Sequence, residues 1–373
     1  MDTDPGMIAL KKSPFPQVSS RELAEQIDSK ARTARKLPLW HDTPGIYFPP
    51  RLSIEQTSSE ATAEYKRSLI TPGRLIDLTG GFGVDSYYFS KSADVWHLEI
   101  NSGLSEISRH NAAVLGAFNI TYIREDGIAY LRSGPGHFDT IYADPSRRVK
   151  TRKVFRLSDC EPDVVANLPL LLSMGSRVII KTAPLLDIRM GLEELQHVRE
   201  IHVLSVKNDC KELLWIMEDG YTGDPLIVCA ALNTPTQVFS YRFTEERDMK
   251  LSRFAAPGTF IYEPDVALLK AGCFKLITRA FGVEKLHINT HLYTSENLAG
   301  DFIGRKFRLL ERWSYKAFQA ARPVSRASVI CRNFPQSPDE VKKKHKIQDG
   351  GDSYLLFTTG PQDDLLVLHC ERL

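Results

Sequence analysis

The chain has 373 residues, 42% of them hydrophobic, which is more than one ordinary domain and enough for a sizeable core. Lys and Arg (48) nearly balance Asp and Glu (46), so the net charge of +2 excludes nothing about a polyanionic partner until the charges are located along the chain. The six cysteines, Cys160, Cys210, Cys229, Cys273, Cys331 and Cys370, form no C-x-x-C pair and have no His cluster nearby, which argues against a disulfide framework and against a structural metal and fits a reducing cytoplasm.

In chain order, residues 1–20 lack the apolar stretch of a secretory leader, and no later apolar run approaches the roughly 18 residues of a membrane span. A soluble cytoplasmic protein with no membrane contact is the expectation. Residues 20–36 follow a Ser-Ser-Arg-Glu start at helical spacing, and residues 53–69 repeat that pattern after a Gly45-Ile-Tyr-Phe-Pro-Pro50 loop. From Arg74 to about Leu232, apolar or β-branched runs alternate with longer mixed segments: 75–78, 95–100, 120–123, 140–143, 178–181, 202–206 and 226–230. Strand alternating with helix predicts a parallel sheet covered on both faces. Beyond Thr236 the spacing predicts a helix over 264–271 and a terminal hairpin, 354–359 with 365–370.

Leu75-Ile-Asp-Leu-Thr-Gly-Gly-Phe-Gly-Val-Asp-Ser86 reads as strand, tight glycine turn and helix start, where missing Cβ atoms let a ligand approach the backbone. Alone it serves equally as a plain structural turn, a dinucleotide turn or another adenosyl site. Asp77, ahead of the glycines, suits a cationic amine on a ligand and would repel a pyrophosphate. Glu99 closes the next strand, where a carboxylate accepts ribose hydroxyls, a role equally open with a nicotinamide cofactor. Asp126, in Arg124-Glu-Asp-Gly127, can accept from an exocyclic amine. Each acid singly is an ordinary strand-end or capping carboxylate; their recurrence at successive strand ends is the signal. The fourth strand ends in Asp144-Pro-Ser-Arg-Arg148, so Asp144 and the Pro145 carbonyl are expected at the same crevice as Gly80–Gly83.

With these residues in hand, the chain resembles class I S-adenosylmethionine (SAM)-dependent methyltransferases. Asp77–Gly83 matches their first motif, Glu99 the ribose acid, Asp126-Gly127 the adenine-proximal motif and Asp144-Pro145 the catalytic-loop motif. More narrowly, Glu55-Gln-Thr-Ser-Ser-Glu60, Asp77–Asp85, Asp144–Arg148, Glu296-Asn-Leu-Ala-Gly300 and Arg332-Asn-Phe-Pro335 are similar to a bacterial methyltransferase-like group carrying a C-terminal THUMP-like domain. The resemblance implies an α/β fold: a Rossmann-like methyltransferase sheet (71–235), a helical N-terminal extension (1–70), a small ferredoxin-like α+β domain (236–292) and a THUMP-like, RNA-binding region (293–373). It implies Asp77, Thr79, Gly80, Gly81, Phe82, Gly83, Glu99, Ile100, Asp126, Gly127, Gln56 and Ser59 as SAM-binding residues, and Asp144, Pro145, Ser146 and Arg147 as the catalytic loop. THUMP domains accompany RNA-modifying enzymes, so tRNA or rRNA is the implied partner.

One departure stands out. Amino-methylating relatives place a second Pro and an aromatic where Ser146 and Arg147 stand, so a target base would stack on a guanidinium instead. Carbon-5 methylation of a pyrimidine needs a cysteine nucleophile, and none follows Val178-Ile-Ile-Lys-Thr-Ala-Pro184, which directs the expectation to a nitrogen or oxygen acceptor. Arg147, Arg148, Lys150, Arg152, Lys153 and Arg156 continue from the catalytic loop with no acid among them, and beside the expected crevice Arg148, Lys150, Arg152 and Lys153 are expected to hold an RNA phosphate backbone. Residues 301–346 hold 12 Lys or Arg against 4 Asp or Glu, a surplus of 12 − 4 = +8 that leaves the rest of the chain acidic. There Arg305, Lys306 and Arg308 interleave with Phe302, Phe307, Trp313, Tyr315 and Phe318, a pattern of RNA contact or, for the aromatics at helical spacing, simply of core. A solvated loop, a non-catalytic RNA-binding protein with a degenerate methyltransferase fold and a nicotinamide-dependent oxidoreductase are the competing readings.

Overall fold

The computed structural model describes residues 4–147, 156–233, 235–251, 253–321 and 323–373. The chain divides into two compact units, Met1–Ile201 with Leu213–Gly223, and His202–Glu212 with Asp224–Leu373.

In the first unit, helix α1 (Ser20–Thr33) starts where expected, with the Ser19 hydroxyl accepting from the Glu22 N–H. The expected single helix over 53–69 is instead two, Arg51–Gln56 and α2 (Glu60–Arg67). Thr57 turns extended and the Ser59 hydroxyl caps α2, because a Ser at a break offers the orphan N–H groups an acceptor that a continuous helix would not need. Strands β1 (Gly73–Asp77), β2 (Ala93–Leu98), β3 (Ile120–Ile123), β4 (Phe138–Ala143) and β5 (Gly175–Thr182) are all parallel, in the order β3-β2-β1-β4-β5. Helices α3 (Val84–Ser90), α4 (Ser102–Val114), α5 (Gly127–Arg132) and α6 (Leu168–Met174) fall between them, and α7 (Ile188–Glu194) follows β5.

After α7 the chain runs through β6 (Val198–Val206) and β7 (Asp209–Met217), and β7 pairs antiparallel with β5. The sequence reading passes over β7 because its turn, Lys207-Asn208, lacks the usual glycine; both residues nevertheless take positive φ, 52° and 59°, the conformation of a two-residue hairpin turn. The expected alternation of strand and helix therefore breaks at one hairpin. The order β3-β2-β1-β4-β5-β7-β6 places every parallel carboxyl end on one edge, where an open α/β sheet binds its ligands. A core of Leu37, Trp40, Phe48, Ile54 and Ala63 with Phe82, Val84, Tyr87 and Tyr88 ties the N-terminal extension to α3.

In the second unit, β8 (Leu226–Ala231) and β9 (Gln237–Arg242) pair antiparallel. A separate seven-stranded sheet follows: β10 (Phe260–Pro264), β11 (Glu284–His287), β12 (Thr290–Ser295), β13 (Gly304–Ser314), β14 (Ser328–Arg332), β15 (Ser353–Thr359) and β16 (Leu365–Arg372), in the order β11-β12-β10-β13-β16-β15-β14. The helix Val266–Lys270 and the β15–β16 hairpin match expectation. The aromatics of 302–318 divide between two elements: Phe307 and Trp313 lie on the long strand Gly304–Ser314, Tyr315 and Phe318 on the helix Tyr315–Ala321 that follows it, and Phe302, Phe307 and Phe318 are fully buried core. Only Phe307 and Trp313 fall on the strand, too few to distinguish a strand period from a helical one in the sequence.

Candidate active site

The glycine turn joins β1 to α3 with Gly81 and Gly83 at φ 55° and 83°. Gly80 is required by contact: a Cβ there would lie 2.2 Å from His97 Cε1 on β2. Gly83 N–H donates to the Gly80 carbonyl at 2.9 Å, and Gly80 N–H donates to the Leu98 carbonyl at 2.8 Å, which locks the turn onto the end of β2. Glu99 then reaches back: one carboxylate oxygen accepts from Gly81 N–H at 3.0 Å and the other from Asn101 N–H at 2.7 Å. Ile100 beside it is 70% exposed, an apolar face offered to solvent next to an acid. Asp126 is exposed and caps α5 through Ala129 N–H at 2.8 Å, while Gly127 packs against the Leu78 backbone, where a Cβ would meet the carbonyl oxygen at 2.7 Å.

Asp77 is buried, its oxygens accepting from Thr79 N–H at 3.1 Å and from the Ser86 hydroxyl at 2.6 Å. Burial pushes its carboxyl up to about 7 against the hydrogen bond from Ser86, and the carboxylates of Asp85 and Asp144 add to the rise. Because Ser86 donates to Asp77, its oxygen is left to accept from His97 Nδ1 at 3.0 Å, and burial pushes His97 down to about 3, so the ring is neutral.

Asp144 follows β4, and its N–H donates to Thr79 Oγ1 at 2.7 Å, which binds the Asp144-Pro145 turn directly to the glycine loop. Pro145 is buried and Ser146 exposed. Ser146 and Arg147 pair through the backbone with Glu161 and Cys160 in a short antiparallel ladder. Arg148, Lys150, Arg152 and Lys153 lie outside the described residues. Phe82 turns its ring into the core, so its backbone alone is open to a ligand. Gln56 ends its helix exposed, and the Ser59 hydroxyl is spent on capping α2.

Reasoning from sequence misses the charges beneath this crevice. Lys181, closing β5, forms an ion pair with Asp144. Lys66 of α2, fully buried, pairs with Asp85 at 2.9 Å, and Asp85 also accepts from the Ser58 and Tyr142 hydroxyls at 2.8 Å each. Burial alone would raise Asp85, but the Lys66 and Lys181 ammoniums outweigh it and hold the carboxyl below its ordinary value. A lysine ending the otherwise apolar run Val178-Ile-Ile was the available signal. Of the polar side chains in this N-terminal segment, Ser58 is the hydroxyl that joins the site, donating to Asp85.

The full chain aligns with a protein from Porphyromonas gingivalis W83 assigned as a methyltransferase, with 33% identity, a TM-score of 0.89 and coverage of 100% of this chain and 95% of that one. The chain belongs to that methyltransferase family. Within it, residues 260–302 match a ferredoxin-like domain model and residues 304–372 a THUMP domain-like model. A SAM-dependent methyltransferase from Agrobacterium tumefaciens (16% identity, TM-score 0.32, 43% of this chain and 63% of that one) and TrmN from Thermus thermophilus (16%, 0.34, 49% and 52%) are fainter likenesses. No curated protein matches the chain.

In the THUMP-like region of this methyltransferase the expected RNA contacts are engaged within the fold. Arg305 pairs with buried Glu263, directly across the strand pair β10/β13, and Arg332 reaches the same carboxylate at 2.5 Å. Lys306 donates to the Gly300 carbonyl, and Arg308 pairs with Glu371 at 3.1 Å. Among the described residues no group of three or more His, Cys, Asp or Glu is placed to hold a metal, and no helix is long and apolar enough to cross a membrane. Burial pushes Cys210 and Cys331 up to about 11 and Cys370 up to about 12, which suits thiols that stay protonated.

Proposed function

We propose that this methyltransferase binds SAM over Gly80–Gly83 and transfers its methyl group to a nitrogen or oxygen of an RNA nucleotide, in tRNA or rRNA. The observation that carries the reading is the 2.7 Å hydrogen bond from Asp144 N–H to Thr79 Oγ1, which makes the glycine loop and the Asp144-Pro145 turn one rigid ledge. The residues fit an adenosyl group: Gly81 sits at φ 55° with the Thr79 carbonyl oxygen 3.7 Å from where a Cβ would point, Glu99 keeps lone pairs for ribose hydroxyls, exposed Ile100 offers an apolar face to adenine, and Asp126 offers an acceptor. Bound there, SAM supplies an electrophilic methyl group.

The chain's own part is placement. Asp144 and the Pro145 carbonyl accept hydrogen bonds from the target group and orient its lone pair, while Ser146 and Arg147 flank it. Asp77 holds the loop through Thr79 and Ser86 and supplies negative charge beneath the ligand's amine. Cofactor binding is assigned to residues 71–235 with closure by Glu55–Lys66 of the extension 1–70, and RNA capture to 293–373, which follows the small domain 236–292.

The test is calorimetric titration of the full chain with SAM and its demethylated product, S-adenosylhomocysteine (SAH), with NADH as control, followed by labelled methyl transfer to RNA from a deletion strain. Binding of both adenosyl ligands, none of NADH, and transfer lost in Asp144→Ala while SAM still binds are the expected results. Binding of NADH alone would move the reading to the oxidoreductases, and SAM binding without transfer to any RNA would favour the non-catalytic RNA-binding protein.

A further inference from the structure

Three carboxylates and two ammonium groups meet under the ledge, each delivered by a different segment: Lys66 from α2, Asp77 from β1, Asp85 from α3, Asp144 from the end of β4 and Lys181 from β5. Lys66 pairs with Asp85 and Lys181 with Asp144. The pairs are not independent, because Lys181 also acts on Asp85, and both Asp85 and Asp144 act on Asp77. Formally, two positive charges against three negative leave −1 when Asp77 is ionised and 0 when it holds its proton, so with that carboxyl pushed up to about 7 the net charge near neutrality lies between the two, on the negative side.

Lys181 stands out among these. Val178, Ile179 and Ile180 before it are completely buried, and an apolar residue of similar volume would continue the strand without desolvating an ammonium. A charge kept at such a position needs a reason beyond packing, and the ligands of the proposed reaction supply one. SAM carries a sulfonium, an ammonium and a carboxylate, net +1; the product has lost the sulfonium charge and is neutral. A site of net negative charge therefore favours the cofactor over the product, and one added or removed charge nearby changes that preference by about tenfold at an effective dielectric typical of protein sites.

We propose that Lys181 is a positioning residue that orients Asp144 and offsets the carboxylate charge beneath the ledge, thereby setting how strongly the protein prefers cationic SAM over its neutral product. The inference rests on the adenosyl-cofactor reading above. It makes Lys181 the counterweight to Asp144: without it the pocket over-attracts the cation, and without Asp144 the remaining ammonium repels it.

Calorimetry of the full-length protein with SAM and SAH, on variants whose folding is verified by circular dichroism, tests this. Lys181→Met is expected to raise the SAM-over-SAH preference by about tenfold. Asp144→Asn is expected to lower it by a similar factor, the double variant to return it to the wild-type value, and Lys181→Arg to keep it there. A ratio within about twofold of wild type in folded Lys181→Met would overturn the proposal. Should Lys181→Met not fold, Asp144→Asn decides alone, and an unchanged ratio there overturns it equally. Wild-type protein that binds neither adenosyl ligand would instead bring down the cofactor reading and this inference with it, an outcome distinct from binding that is indifferent to Lys181.

Discussion

Asp77 is a buried carboxyl whose proton is held up to about 7, against an ordinary value of 3.8. The folded state therefore binds this proton more tightly than the unfolded chain does. Stability from the group is fully present below pH 4 and is lost as pH rises through 7, by on the order of a few kcal/mol. Asp77→Asn cannot ionise, so its melting temperature relative to wild type should be higher at pH 8 than at pH 5, while its affinity for SAM falls. A difference in melting temperature that stays constant with pH would show that Asp77 does not carry this linkage. That the position matters was readable from the glycine motif; its burial was not, because the partners that enclose it, Ser86 and His97, come from the next helix and strand. Lys181 and Lys66 were illegible for the same reason: sequence order separates each lysine from the acid that gives it a role.

At the scale of elements, the parallel strands and the terminal hairpin were legible because continuous apolar runs and turn residues bound them. β7 was not, since its hairpin turn is made by Lys207 and Asn208 in the left-handed region, and β13 was not, since Phe307 and Trp313 are too few to distinguish a strand period from a helical one. β13 also explains the unit it belongs to. Its first half pairs with β10 and its second with β16, so one strand joins the ferredoxin-like and THUMP-like matches into a single sheet. Arg332 on β14, the last strand in the order, returns to Glu263 on β10, and Asn333 donates to Thr290 Oγ1 at 3.1 Å, so the sheet curls on itself. Glu263 is the buried carboxylate under that closure. Glu263→Ala would leave two guanidinium groups facing each other without a counter-ion, and a cost of about 3–5 kcal/mol is expected on chemical denaturation. A loss under about 1 kcal/mol would mean that the pair of arginines relaxes to solvent and the closure does not depend on the acid.

For the molecule as a whole, this changes where RNA binding should be sought. The surplus of basic residues in 301–346 is real, but Arg305 spends its charge on Glu263 and Arg308 on Glu371. Charge reversal at Arg305 is thus a stability experiment. Lys343 and Lys346, exposed on and just after the helix Pro338–His345, are the better probes because reversing them disturbs no buried partner. Phosphate contacts release counterions, so each one contributes about 0.7 to the slope of log affinity against log salt for a single-stranded RNA. Lys343→Glu with Lys346→Glu should therefore weaken binding of bulk tRNA and flatten its salt slope by roughly 1–2, with the melting temperature unchanged. If the slope holds and only Arg305→Glu weakens binding, together with a fall in melting temperature, the region is held together by its basic residues and does not use them to capture RNA. The arginines that follow Asp144-Pro145 in the sequence would then be the next residues to reverse in the same salt titration.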